Sequence, residues 1–131
     1  WNPQYLEMVY KEVLAKYHVD PSRVYLTGLS MGGYGTWDWS SAFPERFAAI
    51  IPISGGGDVG RMPKLKTMPI WVFHDADDPT VNVSNSRTLV NALKALGSSV
   101  KYTEYPNGGH DAWTRTYDNA DVYTWLLKQH K

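Results

Sequence analysis

The sequence predicts an α/β fold: about four parallel strands in one sheet, flanked by helices. Short apolar runs alternate along the chain with segments whose apolar residues recur every three or four positions. Such alternation requires right-handed crossovers and therefore a parallel sheet. No internal repeat or low-complexity tract interrupts it. At 131 residues the chain is long enough for a single domain, residues 1–131, and too short for two.

Asn2 and Pro3 mark the first helix, with Asn2 as cap and Pro3 at the first helical position. Leu6, Val9, Tyr10, Val13, Leu14 and Tyr17 form its apolar stripe, and the turn Asp20-Pro21-Ser22 ends it. Arg23 to Leu29 reads as a strand. A helix from Met31 to Phe43 follows, closed by Pro44. Ala48 to Ser54 is apolar enough for a strand buried on both faces. Pro52 lacks the N–H a ladder needs, which places it near that strand's end. Gly55 to Pro69 reads as a loop, and Ile70 to His74 as another buried strand. After the loop Asp75 to Asn82, Ser84 is a plausible cap for a helix to Leu96, stopped by Gly97. Ser99 to Tyr105 alternates and is polar enough for an edge strand. Pro106 to Ala112 is a turn-rich loop. A last helix, about 119–128, carries Val122, Trp125 and Leu126 inward.

Composition narrows the function classes. Thirteen basic and thirteen acidic side chains balance, so no global field draws the chain to nucleic acid or to an anionic membrane. The absence of cysteine removes disulfides, thiolate nucleophiles and Cys-based metal sites. No apolar run approaches the roughly 18 residues that span a bilayer. Trp1 is not an initiator methionine, so the chain fits a mature product, an excised domain or a truncated piece, and the compartment stays open.

Gly28-Leu29-Ser30-Met31-Gly32 carries the chemistry. It satisfies G-x-S-x-G with a strand entering and a helix leaving, the context in which the serine oxygen is lifted above a sheet. Glycines at 28 and 32 remove side chains expected to collide with the neighbouring strand and helix. The bland alternative is that Ser30 caps the following helix, which does not call for a glycine two residues before it. A serine nucleophile needs a base and an orienting acid, arriving in the chain order serine, acid, histidine. His110, in Pro106-Asn107-Gly108-Gly109-His110 just after the last strand, suits the base; His18 and His130 read as solvated. Asp75, Asp77 and Asp78 share the preceding loop, and spacing alone does not choose among them. All three loops follow strand carboxyl ends, which a parallel sheet gathers on one edge.

The stretch from Arg23 to Asp38, with Phe43 to Gly57, Pro69 to His74 and Tyr102 to Trp113, resembles the α/β-hydrolases. The resemblance is to a carboxylesterase branch of dienelactone-hydrolase-like, polyhydroxybutyrate-depolymerase-like and feruloyl-esterase-like proteins, and it runs from about Tyr17 onward. It implies a truncated α/β-hydrolase fold and an acid loop of the form His-Gly-x-x-Asp. On this sequence His74 matches the histidine, Asp75 replaces the glycine and Asp78 matches the acid. The implied catalytic set is therefore Ser30, Asp78 and His110, with His74 structural. The expected function is that of a small serine carboxylesterase acting on short-chain or aromatic carboxylic esters through an acyl-enzyme.

An ester hydrolase also needs donors for an oxyanion. The N–H of Met31 supplies one; the second normally comes from an earlier loop, for which this chain has no segment. Trp113, three residues beyond His110, is a candidate to stack on an acyl or aryl group, with core packing as the alternative. Gly55-Gly56-Gly57 lacks the lysine of a phosphate-binding loop, and Asp58, His74, Asp75 and Asp77 have no metal-site spacing, so neither cofactor nor metal is expected. Same-handed crossovers put the connecting helices on one face and leave a free strand edge beside Val24 to Leu26. A second copy of the chain, a separate N-terminal segment or a repositioned local one is expected to cover that edge. The rival to an enzyme is an inert scaffold that needs such a partner.

Overall fold

The structure, a computed structural model, describes residues 1–131. Its elements are α1 (Pro3–Lys16), β1 (Tyr25–Leu29), α2 (Met31–Ala42), β2 (Ala49–Ile53), β3 (Trp71–Asp75), α3 (Ser84–Ala95), β4 (Lys101–Tyr105), α4 (Ala112–Tyr117) and α5 (Ala120–Leu127). The four strands form one parallel sheet in the order β1-β2-β3-β4. This is the arrangement expected from the sequence: four parallel strands in one sheet with flanking helices.

Period-two alternation sorts each strand between two cores. Ile50, Ile70, Val72 and Val100 face Trp37 of α2 and Leu89, Val90 and Leu93 of α3. Ile51, Ile53, Trp71 and Phe73 face Ala112 of α4 and Val122 of α5. The connecting helices thus share one face, and the last two short helices cover the other. Thr27 Oγ1 and Tyr117 Oη lie 2.8 Å apart, and Tyr25 donates its hydroxyl to Gln129 C=O at 2.7 Å, tying β1 to that second layer. The other edge of β1 pairs with no strand.

Pro52 sits inside β2, and its effect is local. Ile50 N–H donates to Pro69 C=O and Ser54 N–H to Phe73 C=O. The slot between them, toward Trp71 C=O, has no N–H to fill it. Accordingly β2 pairs with β3 only around Ile50–Ile70 and Ile53–Phe73, while its ladder with β1 runs unbroken through Gly28–Pro52.

Several element boundaries differ from expectation for identifiable reasons. Asp20 accepts from the Ser22 N–H and hydroxyl, holding a 3-10 turn over Pro21–Arg23 that delays β1 to Tyr25. The supposed loop from 55 to 69 contains a 3-10 helix, Val59–Leu65, which inserts Met62 and Leu65 into the core. Asn82 Oδ1, not Ser84, accepts at the start of α3. The stripe read on α1 splits: Leu6, Tyr10 and Leu14 turn inward, whereas Val9, Val13 and Tyr17 are exposed together with Tyr5 and Met8. Buried Glu7 anchors the inner side by accepting from Trp39 Nε1 at 3.1 Å and Arg46 Nε at 2.7 Å.

Candidate active site

Ser30 follows β1 directly and takes φ 53°, ψ −116°, in the region that L-residues rarely occupy. Its N–H donates to Ile53 C=O at 2.9 Å, and its C=O accepts from Gly33 and Tyr34 N–H, so both sides of the turn are pinned. A Cβ at Gly28 would overlap the Gly32 carbonyl, and one at Gly33 would lie 2.5 Å from Ile53 C=O. At Gly32 a Cβ would meet open space, so the close approach expected at 32 falls at 33 instead. Strain of this kind, over-determined by its surroundings, lifts a side chain clear of the sheet.

The β3–α3 loop brings up the acid. Asp78 Oδ1 accepts from Thr80 N–H at 2.8 Å and Val81 N–H at 2.9 Å, which leaves Oδ2 for a third partner. That partner is His110 Nδ1 at 2.7 Å. His110 Nε2 in turn lies 2.7 Å from Ser30 Oγ. A carboxylate only accepts, so Nδ1 carries the ring proton and Nε2 is left to accept from the serine hydroxyl. Burial pushes the Asp78 carboxyl up, but the bonds from His110, Val81 and Thr80 together outweigh it and hold the group below the usual carboxylate range.

Of the remaining candidates, His74 is fully buried and donates Nε2–H to Val81 C=O at 2.8 Å while Nδ1 accepts from Ser86 Oγ at 2.7 Å. It braces the acid loop from beneath. Met31 opens α2, so its N–H is among those with no acceptor inside the helix. Met31 as a residue is 72% exposed. Trp113 stands edge-on to the His110 ring, centroids 5.1 Å apart, and also packs on the α4–α5 core. Asp75 does not compete for His110. Alternation along β3 turns His74 toward α3 and Asp75 toward α4, where Asp75 Oδ1 meets Arg115 Nη2 at 3.2 Å. Two contacts had no sequence signal: Trp1 donates its indole N–H to Met31 C=O at 2.6 Å, and Asp77 Oδ1 accepts from Gly109 N–H at 2.8 Å.

A serine on a strained strand-to-helix turn, hydrogen-bonded to a histidine that an acid orients, narrows the kinship to hydrolytic families. The family model described as phospholipase/carboxylesterase matches residues 3–127. The chain belongs to that family. Among solved structures, a thermostable esterase superposes with a TM-score of 0.95 at 46% identity, over 98% of this chain and 36% of that one. A bifunctional acetylxylan esterase/xylanase of Neocallimastix patriciarum is 28% identical over 95% of this chain and 18% of its own. Acyl-protein thioesterase 1 of Gibberella zeae is 26% identical over 83% of this chain and 49% of its own. The chain thus spans half or less of each of these family relatives.

Proposed function

We propose that the chain is a serine carboxylesterase that hydrolyses short-chain or aromatic carboxylic esters through an acyl-enzyme. One observation carries this: the unbroken line from Ser30 Oγ through His110 to Asp78, with both links at 2.7 Å. Ser30 Oγ attacks the ester carbonyl carbon as its proton passes to His110 Nε2. Asp78 steadies the imidazolium that forms. The oxyanion of the tetrahedral intermediate takes the Met31 N–H. His110 then protonates the departing alcohol oxygen, leaving an acyl group on Ser30. Water, deprotonated by His110, releases the acid and restores the serine.

The substrate class is inferred from the shape around Ser30. A cavity of about 250 Å³ lies alongside α2, lined by Tyr34, Trp37, Gly57 and Arg61 among others, and includes neither Ser30 nor His110. An ester would then meet the half-buried Ser30–His110 pair outside that cavity, with Trp113 perpendicular to the imidazole beside it. Short acyl chains and aromatic rings need no deep acyl pocket, which is consistent with such a site. The esterase names among the relatives agree with ester chemistry. Each oxyanion donor is worth about a hundred- to a thousand-fold in turnover, so residues 1–131 assayed by themselves, with the Met31 N–H as donor, are expected to hydrolyse activated esters slowly. In p-nitrophenyl acetate assays Ser30→Ala should lower kcat by about a million-fold, to background. A variant that keeps its rate would remove Ser30 from the chemistry, and a folded but inert wild type would favour the scaffold reading.

A further inference from the structure

Three consecutive residues of the histidine loop donate to three different carboxylates of the acid loop. Gly109 N–H donates to Asp77 Oδ1 at 2.8 Å, His110 Nδ1–H to Asp78 Oδ2 at 2.7 Å, and Asp111 N–H to Asp75 Oδ2 at 3.3 Å. Only the middle bond lies on the line to Ser30. The outer two grip backbone on either side of the imidazole.

Asp75 is the more elaborate grip. Its carboxylate is wholly buried at the carboxyl end of β3. Arg115 of α4 donates Nη2–H to Asp75 Oδ1 at 3.2 Å and to the Asn107 carbonyl, and its guanidinium lies 4.4 Å from the centre of the Tyr105 ring. A Cβ on Gly108 would sit 2.7 Å from Asp75 Oδ1, so the loop backbone rests directly on this ion pair. Gly108 and Gly109 take φ 142° and 67°, conformations in which glycine gives up more chain freedom than any other residue. A loop of that composition does not hold an imidazole in place unaided. Burial pushes the Asp75 carboxyl above the usual range against the pull of the Asp111 N–H and Arg115, so the fold carries a cost for keeping a charge there.

We propose that Asp75, clasped by Arg115, is a positioning residue that fixes residues 107–111 so that the His110 imidazole stays on Ser30, with Asp77 sharing the task at Gly109. This rests on the esterase reading for its kinetic arm alone. The carboxylate at a position where the resemblance implies glycine then supplies the anchorage that a Gly-Gly loop lacks.

The test compares Asp75→Asn, Asp77→Asn and Arg115→Gln with wild type in three ways. In p-nitrophenyl acetate hydrolysis, Asp75→Asn and Arg115→Gln should each lower kcat roughly 10- to 100-fold, the usual penalty for a misplaced catalytic group, while KM stays within about threefold. Asp77→Asn should fall by less. The Asp75→Asn/Arg115→Gln double variant should be no worse than the weaker single one, because these two residues act as one unit. At neutral pH the Tm of Asp75→Asn should match or exceed wild type, since a neutral amide sheds the cost of the buried charge. Independently of turnover, the His110 Nδ1 proton, followed by NMR of nitrogen-15-labelled protein, should exchange with water at least about tenfold faster in both variants. Wild-type exchange and wild-type kcat together would overturn the proposal. So would a rate loss in Asp75→Asn matched by a lowered Tm, whereas Arg115→Gln strands a buried carboxylate, is expected to lower Tm by itself, and is judged on rate and exchange. If the wild type neither hydrolyses esters nor reacts with a fluorophosphonate, the esterase reading fails, and the exchange measurement alone decides the positioning claim.

Discussion

At the scale of the residue, a carboxylate's role is set by the number of donors aimed at it. Asp78 receives two backbone N–H groups and the His110 ring, enough to overcome its burial and keep it ionised below the usual range. Glu104 is also lowered, to about 2, chiefly by the paired bonds from Arg87 at 2.7 and 2.8 Å, with burial opposing. A carboxyl lowered in the folded state contributes stability above the unfolded value, and that contribution is lost as pH falls through the folded one. Asp75, raised, has the opposite sign: its contribution is present below the ordinary value and lost as pH rises through the raised one. Asp78→Asn should therefore lose less unfolding free energy than wild type between about pH 7 and about pH 3 in urea titrations. The same change should lower kcat by about ten-thousand-fold, since an amide no longer selects the Nδ1–H tautomer. Ser30 and His110 were legible in the sequence because each sits in its own glycine-marked turn. Asp78 was not separable from Asp75 and Asp77 by spacing, since what distinguishes the three is which donors face them.

At the scale of the element, helices and strands were legible where a period ran long enough to read. The strands were placed to within two residues, with Asp20 and its turn explaining the late start of β1. Short or mixed segments were not. Six-residue α4 completes too few turns to show a stripe, and the glycines and lysines of residues 55–69 concealed a 3-10 helix that buries Leu65 completely. On α1 the apolar positions cover more of the circumference than one contact face can bury, so sequence period could not say which would be left outside. Leu65→Ala should cost about 2–5 kcal/mol in chemical denaturation. Val13→Ala, on the exposed side of α1 at 41% exposure, should change stability by no more than about 0.5 kcal/mol. Equal losses at the two positions would contradict the packing described.

At the scale of the whole molecule, one sheet edge gathers three loops while the opposite side of the nucleophile strand stays open. The edge of β1 without a neighbour, the exposed Tyr5, Met8, Val9 and Val13 of α1, and Tyr17 at its C-terminal cap leave apolar surface of the kind that associates. We propose that in a solution of this chain alone, the available partner is another copy. Sedimentation should show a mass rising above 14.8 kDa with concentration, reduced when Val9 and Val13 are both changed to Lys. A monomer at every concentration would contradict this. The central claim is that Ser30 is a nucleophile because His110 and Asp78 reach it from two other loops. Fluorophosphonate labelling followed by peptide mass mapping tests it most directly. One adduct per chain is expected, on Ser30, forming far more slowly in His110→Ala. An adduct elsewhere, or labelling at the wild-type rate without the imidazole, would contradict the account.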